Sequence, residues 1–233
     1  MRASGRSSAP PARPGYTRTV RALGIASSLG IVCLSLVYGA TLASGLISLP
    51  ASDAPVGEPW FSLLEALIVL VVPLMVVLMV AIHAWAPPER RPFAVAGIVF
   101  MTIMACLTIS VHFVILTVSG HLTLEEHPWA SIFLSFEWPS VAYALDILAW
   151  DFFFPIAVFF AAAVFSGPGL ERVVKGLLVL SGLIALGGIA GAVLGNLQVR
   201  NVGIVGYGVV FPGAALLLSV LFLRTAPELR RTR

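Results

Sequence analysis

The chain has 233 residues, of which 59% are hydrophobic and only 11% charged, with a mean hydropathy of +1.00. Soluble domains carry about 25% charged residues, so a water-soluble enzyme of this size is excluded. High hydrophobicity, two cysteines and a thin net charge of +3 exclude a disordered chain, a disulfide scaffold and a nucleic-acid binder. An all-α chain embedded in a lipid bilayer remains.

Residues 1–20 are rich in Ser, Pro, Arg and Gly and read as a disordered basic tail whose arginines meet anionic lipid or set topology. A helix crosses the hydrocarbon core with about 20 apolar residues. Runs of that length bounded by charge or proline predict six spans, at about 22–49, 60–86, 93–119, 140–166, 173–195 and 202–224. A short basic tail, 227–233, closes the transmembrane domain. A cleaved signal peptide ending near Thr41-Leu42-Ala43 is the competing reading of the first span, but its apolar run is far longer than the usual 7–15 residues. The loop between the third and fourth spans, Gly120 to Pro139, carries Trp129, Ile132, Phe133 and Phe136 at i, i+3, i+4 and i+7. This spacing predicts a short amphipathic helix lying in the membrane interface.

Basic residues give the orientation. Thirteen of the fourteen fall in the two tails and the loops after the second and fourth spans, while Arg200 alone falls on the other side. The positive-inside rule therefore puts both termini in the cytoplasm, and the dominance of arginine over lysine points to the plasma membrane of a GC-rich bacterium. Within the inward-running spans Pro73, Pro155 and Pro212 each stand sixteen residues before Glu89, Glu171 and Glu228. They read as three kinks at one depth, about 24 Å from the inner boundary at about 1.5 Å per residue, and as a candidate relic of a triplicated hairpin.

Ionisable residues inside a membrane are expensive and are functional candidates by default. Glu65, His112, Asp146 and Asp151 qualify, and counting about 1.5 Å per residue puts them about 8 to 17 Å below the outer surface. Pro155 cannot bond the carbonyl of Asp151, and a free carbonyl beside a carboxylate suits a proton or small cation. On an α-helix Asp146 and Asp151 lie about 140° apart and do not share a face, whereas Tyr143, Asp146 and Trp150 do. Arg200 is expected to pair with Glu137, Asp146 or Glu65 at the outer mouth, to bind an anionic group, or to be a solvated loop charge.

His121, Glu125 and His127 form a weak candidate metal cluster. Haem ligation fails on depth, since His83 lies near the inner boundary and His112 in the outer half, and the other two histidines lie in the loop. A retinal Schiff base needs a lysine within the membrane, and Lys175 lies at a loop. Cys33 and Cys106 lack a CxxC relay and read as packing residues. Gly187, Gly191 and Gly195 form two GxxxG steps and read as a helix-packing face.

No cofactor and no nucleic-acid partner are expected. The partners implied are the bilayer, protons or small cations, and a membrane protein partner or second copy. Three functions fit: a small proton- or cation-linked transporter or channel-like protein with an outward-facing polar cavity, an accessory subunit of a membrane complex, and an outer-leaflet membrane enzyme.

Overall fold

The computed structural model describes residues 13–51, 54–122 and 127–228. Six helices are long and apolar enough to cross a membrane: α1 (Arg18–Ile47), α2 (Trp60–Trp85), α3 (Arg91–Thr117, entered through the 3₁₀ turn Pro88–Arg90), α4 (Val141–Val164), α5 (Leu170–Val193) and α6 (Leu197–Arg224). The chain is a multi-pass helical membrane protein, and no strand occurs among the described residues.

Local chemistry sets several boundaries. The side chains of Thr17, Ser140 and Asn196 accept backbone N–H groups from the first turns of α1, α4 and α6, satisfying donors that have no partner within a helix. Gly195, at φ +64°, ends α5 and lets Asn196 start α6 at once. Arg200, expected in a loop, therefore lies in the first turn of α6.

Each helix packs on its chain neighbours and α6 returns to α1, closing a ring. The most enclosed helix is α4, with 61% of its apolar stretch buried against 22% to 39% for the other five. Both ends of the described chain meet at one face, called here the terminal face. There the stretch expected to be a disordered tail is part of the fold from Arg13 onward. Tyr16 is fully buried against Phe222 and donates to its carbonyl, while Gly15 N–H donates to Glu228 and Glu228 N–H donates to Tyr16 O. The Arg13 guanidinium lies 3.4 Å from the centroid of the Trp85 ring, donates to Trp85 O and pairs with Glu171 at 3.5 Å. Apolar burial and cation–π contact order this segment despite its polar composition.

Two spans are not uniform α-helices. In α4 the stretch Leu148–Phe153 is π-helical, as is Gly206–Val210 in α6, and each runs into a Phe-Pro pair, Phe154-Pro155 and Phe211-Pro212. The two helices present equivalent residues to each other: Trp150 meets Tyr207 at a tilt of 37° with centroids 4.7 Å apart, and Phe154 meets Phe211 edge-on at 5.2 Å. Pro73 departs from the expected triplet, because it sits inside the uninterrupted α-helix of α2 with no π segment before it.

The expected interfacial helix is reduced to one turn, Ala130–Phe133. Pro139 disfavours helical geometry at Trp138, and the chain bends instead toward the Ser140 cap. Trp129, Ile132 and Phe133 are exposed, whereas Phe136 turns inward against His112 and Tyr143.

Candidate functional site

Opposite the terminal face, five ionisable side chains from four helices form one buried chain. Glu65 lies in the second turn of α2 and His112 near the far end of α3; Asp146 and Asp151 belong to α4, and Arg200 to α6. All five are at most 7% exposed. The Glu65 carboxylate Oε2 lies 2.6 Å from His112 Nδ1, and His112 Nε2 lies 3.3 Å from Asp146 Oδ1. The other oxygen of Asp146 accepts from Arg200 Nη2 at 3.4 Å, and Arg200 Nε lies 3.6 Å from Asp151 Oδ2. Asp146 thus joins the imidazole to the guanidinium, and Arg200 joins the two aspartates.

The π segment makes this possible. With i→i+5 bonding, Phe154 N–H reaches Ala149 O, and the wider turn brings Asp151 beneath Asp146, so that both face Arg200. The expectation that the two aspartates do not share a face is corrected here, because it assumed α-helical geometry through residues 148–153. Pro155 has no N–H to offer the carbonyls behind it, consistent with a register change at this place.

The surroundings of the two aspartates differ. Asp151 is fully buried and neither carboxylate oxygen has a hydrogen-bond partner; Arg200 Nε also lacks one. Its carboxylate is held in a slot between glycines: a methyl group on Gly188 would come within 2.8 Å of Oδ2, and one on Gly203 within 3.1 Å of Oδ1. Arg200 is held from the other side by Tyr143, whose ring centroid is 5.0 Å from the guanidinium carbon.

The glycine reading of α5 is also corrected. Gly187 and Gly195 meet nothing within 4 Å and are exposed. The face packed on α6 carries Ser181, Ala185, Gly188 and Gly191 against Gly203 and Gly206, with Ser181 donating to Gly206 O at 2.8 Å. The GxxxG spacing followed the wrong edge of the helix, and of its three glycines only Gly191 lies at the contact.

A half-open cavity of about 150 Å³ adjoins the chain, lined from α1 by Ser35 and Tyr38, from α4 by Asp146 and Trp150, and from α6 by Arg200 and Tyr207, with aliphatic residues of α1 and α2 as its floor. Tyr38 and Tyr207 escape a search for charged residues; their signal was a phenol within an apolar run, which needs a partner for its hydroxyl.

Other candidates lie elsewhere. His121 is exposed, His127 lies edge-on to Trp129, and Glu125 is outside the described residues. Among the described residues no group of three or more His, Cys, Asp or Glu side chains is arranged to hold a metal ion. Cys33 and Cys106 are free and lie on the exposed exterior, not in the packing role expected for them. No known protein family, curated protein or solved structure matches the chain.

Proposed function

We propose that this protein is a small proton-linked membrane transporter whose proton site is the chain Glu65–His112–Asp146–Arg200–Asp151. The observation that carries this reading is Asp151: a fully buried carboxylate with neither oxygen hydrogen-bonded, 3.6 Å from the one guanidinium of the cluster. A buried polar atom without a partner is costly, and membrane proteins keep such groups where charge moves.

Formal charge supports the same role. Three carboxylates face one guanidinium and one imidazole, so the acids outnumber the bases even when His112 is protonated. A further proton or cation neutralises the remainder. At 3.6 Å and an effective dielectric of about 20, the Arg200–Asp151 attraction is about 5 kcal/mol. A proton on Asp151 removes that attraction and frees Arg200 to close on Asp146, so the occupancy of one aspartate sets the geometry of the other. Because the cluster spans α2, α3, α4 and α6, such a change is felt by most of the ring.

The positive-inside distribution supports a cytoplasmic terminal face, which on this reading leaves the cluster in the outer half of the membrane. Reconstitution tests the reading. In proteoliposomes with an imposed pH gradient, a pH-sensitive dye inside and a panel of inorganic and organic cations supplied outside, the wild type carries a cation-dependent proton flux that Asp151→Asn abolishes while the folded yield is retained. An unchanged flux in Asp151→Asn overturns it.

A further inference from the structure

We infer that the cavity beside the proton site is the substrate site, and that its substrate is a lipophilic monocation with a ring-sized apolar body entering sideways from the membrane between α1 and α6. The inference rests on the proton-linked reading and supplies its substrate class.

Entry follows from the packing of α1. This helix packs closely against the Phe211–Arg224 part of α6, while the Leu197–Val210 part diverges from it. The cavity occupies the gap, with Ile31, Leu34, Ser35 and Tyr38 on one wall and Arg200, Ile204, Tyr207 and Gly208 on the other. Gly208 is exposed, and its neighbours Val205 and Val209 are 45% and 66% exposed. The mouth therefore faces lipid, in the half of the membrane away from the terminal face.

Size and lining select the body of the ligand. About 150 Å³ is the volume that takes up one benzene-sized ring in a protein interior, and the α2 side of the cavity is aliphatic throughout. Aromatic rings and charge select the head. Tyr38, Trp150 and Tyr207 stand around the polar end, Trp150 and Tyr207 with centroids 4.7 Å apart, and ring faces attract desolvated cations. Asp146 lies among them. Arg200 lines the same end, but Asp146 at 3.4 Å and Asp151 at 3.6 Å already offset its charge. The five-membered chain keeps an excess of acid, so an anion is opposed and a cation favoured. Proton and substrate then compete for the same excess negative charge, which gives one-for-one exchange without contact between them.

Benzyltrimethylammonium is the probe, because its charge does not change with pH; benzyl alcohol and benzoate are the neutral and anionic controls. Binding to the full chain in detergent is read by tryptophan fluorescence, with Trp150→Phe assigning the signal, and by proton release in weakly buffered solution. The expected result is saturable binding of the cation alone, one proton released, and affinity rising about tenfold per pH unit where release is complete. Gly208→Phe fills the mouth, where an added Cβ meets Ile204 only at 3.6 Å, and lowers affinity about tenfold or more with an unchanged melting temperature. Equal binding of benzyl alcohol, or full affinity in Gly208→Phe, overturns the inference. Proton flux that the cation neither binds to nor alters leaves the transport reading standing and removes this one. Binding with proton release but no flux in any liposome keeps the site and removes transport.

Discussion

Replacing Gly191 by alanine probes the α5–α6 contact and the site together. A methyl group at this position would lie 2.1 Å from Arg200 N, 2.7 Å from Arg200 Cα and 2.8 Å from Asn196 O, where ordinary contact begins at 3.4 Å. Backbone stands in the way, so no side-chain rotation relieves the overlap, and α6 must retreat by about 1.3 Å, from 2.1 to 3.4 Å. Overpacking of this severity costs about 3 kcal/mol, against about 1 kcal/mol gained by alanine over glycine in a helix. The net loss of about 2 kcal/mol corresponds to a melting temperature about 4–8 °C lower for a chain of this size, read by tryptophan fluorescence in detergent. The displaced backbone is that of Arg200, so its contacts with Asp146 and Asp151 lengthen past pairing distance and proton flux falls with stability. Gly187→Ala is the control: it adds a methyl to open space and leaves the melting temperature unchanged or slightly higher. Equal damage from the two substitutions, or none from Gly191→Ala, would refute the packing argument.

Other consequences are equally specific. Arg200→Met leaves two buried carboxylates without their guanidinium and costs about 3–5 kcal/mol, seen as loss of monodisperse protein on size exclusion; adding Asp151→Leu recovers part of it, and a single variant that melts like wild type contradicts the ion-pair network. Glu65→Gln removes one carboxylate 2.6 Å from His112 and reduces proton release per cation bound, by the readout used for the substrate probe. Tyr16→Phe loses the hydrogen bond to Phe222 O, about 1 kcal/mol. Burial pushes the Tyr16 hydroxyl up from 10.0 to about 12, with Arg21 and Arg13 opposing. The unfolded phenol ionises first, so the Tyr16 contribution is intact below pH 10.0 and is lost as pH rises toward about 12. Melting curves of wild type should therefore fall relative to Tyr16→Phe across that window, and parallel curves would show that Tyr16 is not buried.

The six spans were legible because crossing a bilayer demands about 20 apolar residues whatever the helices do to one another. The structure keeps every predicted span, shifting its ends by up to five residues where the caps at Thr17 and Asn196 decide. Expense inside a membrane also made Glu65, His112, Asp146 and Asp151 stand out, since a charge there is visible against an apolar run. The residues without charge, Tyr38, Tyr207, Gly188 and Gly203, complete the site and carried no comparable mark.

Sequence by itself thus determined what each segment needs from its solvent: six apolar helices, one basic side and a few costly groups at similar depth. Tertiary structure decided which of these meet. Asp146 and Asp151 share Arg200 because a π segment before Phe154-Pro155 changes the helical register, a change that counting residues along a regular α-helix does not contain. Gly188 and Gly191, not Gly187 and Gly195, face α6 because the contacting edge of a helix is fixed by where its partner lies. Arg200 enters the bundle because Asn196 caps α6 early and the glycine face of α5 lets that first turn come close. Spacing along a chain assumes a regular helix and an unknown neighbour, and both are settled only when the helices pack.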